Sequence, residues 1–381
     1  MPALSIGILS TYPPMVCGLA TFSAALERAL LALGHHLQIV RVEDGTTKAP
    51  VHDSAAGVLV NGSASSVRRT AAVLSSCDVA IVQHEYGIFG GPDGDEVLEV
   101  IRGIDAPVIV VLHTVPQHAS IHQAEILVDL CRLANRVVVM SSSARQRLLE
   151  TYAPIDGSMV VTIPHGAALA AHVRTGAWHR ANPQAELLTW GLLGPGKGIE
   201  HVIQAVGLLA GLGHPVRYTI AGATHPKVAA REGHHYRDLL AARADALGVS
   251  NLVTFDDSYR DVEDLTEFIA AATIVVLPYD SVEQVTSGVL VDSIAAGRPV
   301  IATRFPHAIE MLSHGAGLLV PQQDPTSLAV AIQTATSDPA LLGTMEVKAR
   351  ELAPMLSWSA VAAQYAAECQ LLVGSRQRMT A

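Results

Sequence analysis

Short apolar segments alternate with longer amphipathic ones along the chain, and this alternation constrains the fold more than any other feature. Six strand-like segments come first, at residues 4–10, 36–42, 79–85, 107–114, 136–142 and 159–166. Six more follow, at residues 186–193, 216–223, 251–258, 272–279, 298–304 and 316–323. Near-continuous apolar strands separated by helices are typical of parallel sheets with helices on both faces. The sequence therefore predicts an α/β protein with two Rossmann-like, doubly wound domains.

The polar segment at residues 167–185 separates the two series and gives the predicted domain limits. We expect an N-terminal domain at 1–175, a second domain at 176–355 and a C-terminal helical segment at 356–381. A chain of 381 residues is long enough for two domains of ordinary size. If the domains face each other across a crevice, ligands bind there, beyond the carboxyl ends of the strands. The residues directly after the strands are therefore the candidates for function.

Composition and charge exclude several classes of protein. The formal net charge of −10 and the lack of a basic stripe argue against a nucleic-acid partner. The apolar runs are much shorter than the ~20 residues of a membrane span, and no basic segment precedes the first of them, as it would in a signal peptide. The four cysteines are Cys17, Cys77, Cys131 and Cys369. They lack metal-ligand spacing, so we expect reduced thiols in a cytoplasmic protein.

Two glycine-bearing turns lie between a predicted strand and a predicted helix. Gly18 precedes the helix that opens at ATFS, and four glycines within residues 191–198 surround Lys197. Glycine lets backbone amides approach an anion, a helix N-terminus favours negative charge, and a lysine can neutralise a diphosphate. A tight turn at Gly18 and a solvated side chain at Lys197 are the alternatives. Gly18 does not lie in a GxGxxG sequence, and the segment around Lys197 is not a Walker A motif.

The stretch EQVTSGVLVDSIAAG, at residues 283–297, is unusually polar for the start of a buried helix. Its notable residues are Glu283, Gln284, Thr286, Ser287, Gly288 and Asp292. The unpaired N–H groups of a helix that starts at residues 286–288 can hold phosphate oxygens. Asp292 lies one helical turn further along the same face. An N-cap explains Thr286 or Ser287 alone, but it does not explain the whole set.

Histidines and other polar residues also follow the strands. Of the 17 histidines, His113 is the strongest candidate because it ends the most apolar strand, and His84 and His225 have similar places. Further polar residues at strand ends are Glu85, Tyr86, Asp257, Ser258, Tyr259 and Arg260. No histidine pair combines with carboxylates at zinc-ligand spacing, and neither a GxSxG motif nor a Cys/His nucleophile is present. We therefore expect neither a zinc centre nor a serine or cysteine nucleophile.

These motifs resemble those of the retaining, nucleotide-sugar-dependent glycosyltransferases of the group 1, glycogen-synthase-like superfamily (family four). The matching segments occur in order along the chain: STYPPMVCGLATFS, VQHEYGIFGG, VVLHT, VTIPHG, GLLGPGKG, GATHP, EQVTSGVLVDSIAAGRPVIAT and SWSAVAAQY. The most specific are LLGPGKG and the segment at 281–303. The resemblance implies a GT-B fold, in which the C-terminal helix packs back on the N-terminal domain. It also implies a nucleotide-sugar donor, no cofactor and no catalytic metal.

The resemblance gives each candidate residue a role, with the acceptor on the N-terminal domain and the donor on the second. The donor diphosphate contacts would be Gly18, Lys197, Thr286, Ser287 and Gly288. The donor sugar and ribose contacts would be His113, Glu283, Gln284 and Asp292, and the catalytic residues would be His113, Lys197 and Gln284. The donor base would lie near Asp257, Ser258, Tyr259 and Arg260. The acceptor side would include His84, Glu85 and Tyr86.

Two departures from the family pattern bear on the mechanism. Leu192 stands where the family usually has a phosphate-binding arginine, and Gln284 and Asp292 replace the two glutamates of its E-x7-E motif. An amide is a poor nucleophile, so a covalent glycosyl-enzyme at Gln284 is disfavoured. The resemblance then favours transfer on one face of the sugar. The departing diphosphate would take the acceptor's proton, and Lys197 would stabilise the charge that develops on it.

The expected activity is transfer of a hexose from a nucleoside diphosphate sugar to a glycan or a glycosylated small acceptor. The resemblance narrowly favours GDP-mannose over UDP-glucose as the donor. A nucleotide-sugar epimerase or hydrolase on the same fold is one alternative, although it would need a second acid–base pair near the sugar. A non-catalytic sugar-nucleotide-binding protein is the other, and the changes at Leu192 and Gln284 keep it open.

Overall fold

The computed structural model describes residues 2–15, 17–43, 55–152, 154–171, 184–224, 226–258 and 260–380. The chain divides into two compact units. Unit 1 consists of Met1–Gly166 and Trp358–Ala381, and unit 2 consists of Ala167–Ser357. The predicted limit between residues 175 and 176 lies outside the described residues. At the other limit, the chain returns to unit 1 at Trp358, close to the predicted start of the C-terminal segment.

Unit 1 contains a seven-stranded parallel sheet with the order β3-β2-β1-β4-β5-β6-β7. Its strands are β1 (Ser5–Ser10), β2 (His36–Glu43), β3 (Ala55–Val60), β4 (Val79–His84), β5 (Val108–Leu112), β6 (Arg136–Val139) and β7 (Val160–Thr162). The helices between them are α1 (Gly18–Ala32), α2 (Ala64–Ser75), α3 (Glu96–Arg102), α4 (Ile121–Leu133) and α5 (Ser142–Thr151). The interior strand β1 pairs with strands on both sides, since Ile6 lies opposite Leu37 of β2 and Val79 of β4.

Unit 2 contains a six-stranded parallel sheet with the order β10-β9-β8-β11-β12-β13. Its strands are β8 (Glu186–Trp190), β9 (Arg217–Ala221), β10 (Val253–Asp256), β11 (Ile274–Leu277), β12 (Val300–Thr303) and β13 (Gly317–Val320). Its first helices are α6 (Ile199–Gly211), α7 (Pro226–Glu232), α8 (His235–Ala246) and α9 (Val262–Ala271). Its later helices are α10 (Gly288–Ala295), α11 (Pro306–Leu312), α12 (Pro325–Ser337) and α13 (Pro339–Leu356).

The sheet of unit 2 is buried on both faces, as the apolar strands predict. On β11, Ile274 and Val276 belong to one core cluster, which includes residues of α6 and α12. Val275 and Leu277 belong to a second cluster, which includes residues of α10. Side chains alternate between the faces of a strand, so a continuous apolar run fills both cores. This geometry places the polar residues of the unit at the strand ends rather than along the strands.

The C-terminal helix α14 (Trp358–Thr380) completes the core of unit 1. Val361, Tyr365 and Cys369 are fully buried in the same cluster as residues of β1 and α1. At the helix start, the Trp358 ring packs edge-on against Phe22, with 5.0 Å between ring centroids. The Trp358 ring also packs against the backbone at Gly166, where a Cβ would lie 2.3 Å from the ring. The last helix is therefore an integral part of unit 1.

The predicted fold class is confirmed, and one strand of the sheet was absent from the prediction. Strand β3 has the sequence AAGVLV, which contains a glycine and only two β-branched residues, so its strand signal is weak. It nevertheless pairs with β2 and extends the sheet at that edge. Within the described ranges, none of the helices combines the length and the apolar character that crossing a membrane requires.

Candidate functional site

Each sheet has one place where the order of the strands reverses. In unit 2 this place lies between β8 and β11: the chain runs outward through β9 and β10, then returns to β11 on the other side of β8. In unit 1 it lies between β1 and β4. In open parallel sheets, ligands bind beyond the carboxyl ends of the strands at this switch point. The loops that follow these four strands are therefore the candidate ligand-binding loops.

The glycine-bearing loop of unit 2 follows β8 and is locked against the end of β11. Gly198 has a φ of +66° and is the N-cap of α6. A Cβ at this position would lie 1.9 Å from the carbonyl oxygen of Pro278, so only glycine fits. The Asp280 N–H donates to the Gly196 carbonyl at 3.0 Å and closes the contact from the other side. The backbone that carries Lys197 is thus fixed at the switch point.

Lys197 is a half-buried cation held over an aromatic ring. Its Nζ lies 4.5 Å from the centroid of the Tyr279 ring, close enough for a cation–π contact. Burial lowers the pKa of the Lys197 ammonium and raises that of Tyr279, which a hydrogen bond with Ser287 opposes. No carboxylate among the described residues pairs with Lys197. A positive charge in a fixed position is therefore available to an anion.

The start of α10 lies beside this loop. Ser287 is the N-cap, and its Oγ accepts a hydrogen bond from the Leu290 N–H at 3.3 Å. The Ser287 N–H itself donates to Nδ1 of His307 at 2.9 Å, so this amide is already engaged. The Thr286 Oγ1 is buried and has no hydrogen-bond partner among the described residues. Gly288 begins the first turn, where N–H groups lack partners within the helix.

Gln284 precedes this helix and Asp292 lies within it, and the two side chains differ in their hydrogen bonding. The Gln284 side chain donates through Nε2 to the Thr286 carbonyl at 3.1 Å, which ties it to the turn before the helix. Asp292 is half-buried on α10, and no described residue donates a hydrogen bond to its carboxyl group. Burial raises the pKa of Asp292 to about 7. The neighbouring Glu283 is half-buried, and its N–H donates to Ser281 Oγ at 3.2 Å.

The loop after β10 carries a guanidinium that its neighbours hold in place. Arg260 Nη2 lies 2.5 Å from Asp256 Oδ2, and the guanidinium carbon lies 3.8 Å from the centroid of the Phe268 ring. The Arg260 and Ser258 hydrogen bonds lower the pKa of Asp256 to about 2. Asp257 is exposed and lies 3.7 Å from Arg237 Nη1. Tyr259 lies outside the described residues.

In unit 1, His113 follows β5 and is held from several directions. Its Nε2 lies 2.7 Å from Oε1 of Gln83, and its ring lies edge-on to Phe22 at 5.0 Å between centroids. Its backbone N–H donates to the His84 carbonyl at 3.1 Å. Burial, with smaller contributions from His165 and His84, lowers the pKa of His113 to about 3. The imidazole is therefore neutral at ordinary pH.

The turn at Gly18 does not require a glycine for the fold. Gly18 begins α1 after the N-cap Cys17, whose Sγ accepts from the Ala20 N–H at 3.4 Å. A Cβ at Gly18 would meet no atom of the protein within 4 Å. The alternative of a sterically tight turn is therefore not supported at this position. Open space beside a helix start is what a predicted phosphate contact needs.

The residues predicted for the acceptor side differ in exposure. His84 is fully buried, and its ring contacts that of Tyr86 at 4.9 Å between centroids. Glu85 and Tyr86 are half-buried; Glu85 Oε2 accepts from Thr114 Oγ1 at 2.5 Å, and the Tyr86 hydroxyl donates to the Gln123 carbonyl at 3.1 Å. Of these three side chains, only Glu85 and Tyr86 can therefore touch a ligand directly. The third strand-end histidine of the prediction, His225, lies outside the described residues.

One group of described residues offers the ligand atoms of a metal site. These residues are Glu200, His201 and Asp280, with one ligand atom from each within 4.8 Å of the others. Protein contacts already engage them: His201 Nε2 lies 3.5 Å from Asp280 Oδ1, and the Tyr236 hydroxyl donates to Glu200 Oε2 at 2.9 Å. The contact between His201 and Asp280 links α6 to the loop after β11. The group therefore supports the shape of the glycine-bearing loop.

Four residues of the site were assigned no role from the sequence. Asp256 ends β10 and Tyr279 closely follows β11, and these positions could have identified both residues. His307 meets Ser287 from a helix twenty residues further along the chain, so spacing alone gives no clue. Gln83 lies within the apolar run of β4, where a buried amide has no pattern that marks it.

A family model matches the part of the chain that forms most of unit 2. Residues 184–338 match the family described as "Glycosyl transferases group 1". This segment includes Lys197, the start of α10 and Asp292. No curated protein sequence matches the chain significantly.

Solved structures share the fold over nearly the whole chain. Anabaena HepE, solved with UDP, has a TM-score of 0.77 at 18% identity, over 96% of this chain and 99% of that one. A glycosyltransferase from Rickettsia africae has a TM-score of 0.75 at 16% identity, over 97% and 99%. The sucrose-phosphate synthase of Thermosynechococcus elongatus has a TM-score of 0.74 at 20% identity, over 97% and 99%. The chain has the GT-B fold, and within unit 2 residues 184–338 match the group 1 glycosyltransferase family.

Proposed function

We propose that the protein is a retaining glycosyltransferase that moves a hexose from a nucleoside diphosphate sugar to a glycan or a glycosylated small acceptor. The donor diphosphate binds at the switch point of unit 2, between the glycine-bearing loop and the start of α10. Lys197 and the amides at Gly288 and the following residue contact the phosphates, and Asp292 contacts the ribose. His113 contacts the donor sugar, and Glu85 and Tyr86 lie on the acceptor side.

One observation carries this proposal: at the switch point of unit 2, a helix start lies beside a cation that no described carboxylate pairs with. The Lys197 ammonium lies above the Tyr279 ring, and the Tyr279 hydroxyl bonds to the N-cap Ser287. On the other side of the loop, a Cβ at Gly191 would lie 3.6 Å from Val289 in the first turn of α10. A diphosphate needs charge and amide donors together, and these contacts supply both.

The amide at position 284 supports transfer on one face of the sugar without a covalent intermediate. Gln284 donates to the Thr286 carbonyl, so its side chain is tied to the helix start, and an amide is in any case a poor nucleophile. The acceptor hydroxyl then attacks the anomeric carbon from the face that the diphosphate leaves. The departing phosphate oxygen takes the acceptor's proton. Lys197 and the helix amides stabilise the charge on the leaving group, without a catalytic metal.

There are two candidate donor substrates, and each is supported by a different comparison. The resemblance of the sequence motifs favours GDP-mannose. UDP-glucose has support from Anabaena HepE, whose structures hold UDP, UDP with glucose, and UDP-glucose. Both donors place a diphosphate, a ribose and a hexose in the same order, so the proposed contacts of Lys197 and Asp292 serve either. The four cysteines are free thiols, which supports the cytoplasm as the compartment.

A thermal-shift series followed by turnover tests the proposal. We expect one of GDP, UDP and ADP, with its sugar, to raise the unfolding temperature above the others, because ligand that binds only the folded state stabilises it by mass action. The protein should then consume that donor faster when a suitable glycan acceptor is added. Release of free sugar or of an isomerised donor without acceptor would instead identify a hydrolase or an epimerase. A thermal shift without turnover would identify a binding protein.

The variant Lys197→Ala connects this assay to the site. We expect it to lose turnover by orders of magnitude, on the scale of about 10²-fold or more seen for groups that stabilise developing charge. It should keep the unfolding temperature of the wild type. Lys348→Ala is the matched control, because Lys348 pairs with Glu351 on the surface of the same unit at 2.7 Å. Near-wild-type activity of Lys197→Ala would contradict the phosphate assignment.

A further inference from the structure

Gln83 is a buried amide whose side chain makes one hydrogen bond among the described residues, and that bond goes to His113. The residue lies near the end of β4 and is 0% exposed. Its Oε1 lies 2.7 Å from Nε2 of His113, on the next strand of the sheet. Its own Nε2 is buried without a partner among the described residues. Among the described residues, the oxygen of the Gln83 amide therefore has a hydrogen-bond partner and the nitrogen has none.

This contact determines which nitrogen of His113 carries the proton. An amide oxygen can only accept a hydrogen bond, so Nε2 of His113 must donate and bear the hydrogen. Burial holds the pKa of His113 at about 3, so the ring carries a single N–H. Nδ1 then bears a lone pair and acts only as an acceptor. The hydrogen bond from the His113 N–H to the His84 carbonyl fixes the backbone, and the edge contact with Phe22 packs the ring on another side.

We propose that Gln83 is a positioning residue that holds His113 in the Nε2-protonated tautomer, so that Nδ1 is the acceptor presented to a substrate hydroxyl. The tautomer follows from the geometry of unit 1 alone, whereas the substrate hydroxyl rests on the proposed function. Gln83 itself touches no substrate, because it is fully buried beneath the histidine. Its effect on the reaction passes through the orientation and the proton of His113.

A purely structural role for Gln83 makes a different prediction for one substitution. Methionine has similar length and flexibility without the polar amide. Gln83→Met removes the unpaired amide N–H group, but it also leaves the Nε2–H of His113 without its acceptor, so the two effects on stability oppose each other. We therefore expect the unfolding temperature to change little while the tautomer and the turnover change. A large loss of stability with an unchanged tautomer would indicate packing instead.

Nitrogen NMR of the full-length protein labelled with ¹⁵N-histidine tests the tautomer directly. The His113→Gln variant identifies the His113 signals by their absence. We expect the wild type to show a protonated Nε2 and an unprotonated Nδ1, and Gln83→Met to show a mixture of both tautomers. Gln146→Met, an exposed position on α5 of the same unit, should leave the His113 signals unchanged. A proton on Nδ1 in the wild type, or an unchanged tautomer in Gln83→Met, would overturn the proposal.

Steady-state kinetics supply the second readout, with the donor that the thermal-shift series identifies. We expect Gln83→Met to lower kcat by roughly ten-fold or more, with the donor KM changed by less than about two-fold. A variant that is less stable, less active and unchanged in tautomer would show that Gln83 only packs the core. If no donor is turned over by the wild type, the proposed function fails. The NMR comparison still decides the role of Gln83 in that case.

Discussion

Replacing Asp292 with asparagine should make the protein more stable and its nucleotide binding weaker. Burial raises the pKa of Asp292 from 3.8 to about 7. The folded state therefore binds more protons than the unfolded state between these two values, so the stability of the wild type falls as the pH rises through this window. Above pH 7 the wild type has lost the whole of this stability. An asparagine does not titrate, so the stability of Asp292→Asn does not fall in this way.

The size of the effect follows from the two pKa values. At about 1.4 kcal/mol per pKa unit, the full shift corresponds to about 4 kcal/mol. Solvent reaches the half-buried carboxyl group, so we expect about half of this, roughly 2 kcal/mol, above pH 7. For a unit of this size, that free energy is an increase of roughly 4–8 °C in Tm. The gain should shrink by more than half at about pH 4, because this pH lies far below the folded-state pKa of about 7 and close to the unfolded value of 3.8.

Thermal unfolding of Asp292→Asn and the wild type at low and high pH measures this difference. Asp324→Asn, in the same unit, is a control for which we expect the opposite change in stability. Hydrogen bonds from Ser327 lower the pKa of Asp324, so its contribution to stability is present at neutral pH and is lost in acid. Asp324→Asn should thus be less stable than the wild type at neutral pH. If Asp292→Asn gains no stability above pH 7, or gains the same amount at both pH values, the reasoning is wrong.

The same variant tests the ribose contact. A charged acceptor contributes about 1.5–3 kcal/mol to a hydrogen bond, so Asp292→Asn should bind nucleoside diphosphates about ten-fold weaker or worse. Wild-type affinity should rise relative to the variant as the pH passes through 7, because the carboxylate form then becomes populated. Calorimetric titration at two pH values measures both effects. Equal affinities of the two proteins at about pH 8 would place the ribose elsewhere.

Three further substitutions separate binding from folding. His113→Ala should lower kcat much more than donor affinity, and a change in affinity alone would contradict its place beside the reacting sugar. Gly18→Ala should leave the stability within about 0.5 kcal/mol, since its Cβ meets nothing within 4 Å, yet weaken donor binding several-fold; unchanged binding would remove Gly18 from the site. Gly198→Ala should lower stability by about 1–3 kcal/mol, because its φ is +66° and its Cβ would overlap Pro278, and wild-type stability in a denaturation curve would contradict this.

The strands and the fold class could be predicted because their cause is local. Apolar runs such as VIVVL of β5 and IVVL of β11 are wholly buried, and burial on both faces requires such continuous runs. Strand β3 escaped prediction because its stability comes from pairing with β2 rather than from its own residues. The change between units near residue 167 could be placed only approximately, because polar linkers have no sharp boundary.

The candidate site was predictable to the extent that strand ends collect polar residues. Lys197 and Asp292 could be singled out, since glycines and a polar helix start surround them. The bond between Ser287 and His307 and the contact between Gln83 and His113 join residues distant in the chain, so no spacing rule could supply them. The raised pKa of Asp292 results from burial by neighbouring residues, and only the folded structure defines that burial. The assigned roles of these residues remain predictions.

The central claim is that the switch point of unit 2 binds the diphosphate of a nucleotide sugar through Lys197. The most direct measurement is the ratio of affinities for a nucleoside diphosphate and the matching monophosphate, by calorimetry on the wild type and Lys197→Ala. We expect the wild type to prefer the diphosphate by about 10- to 100-fold, the worth of one or two charge-assisted hydrogen bonds. Lys197→Ala should reduce this ratio by about ten-fold while Lys348→Ala preserves it. A ratio that is unchanged in Lys197→Ala would contradict the claim.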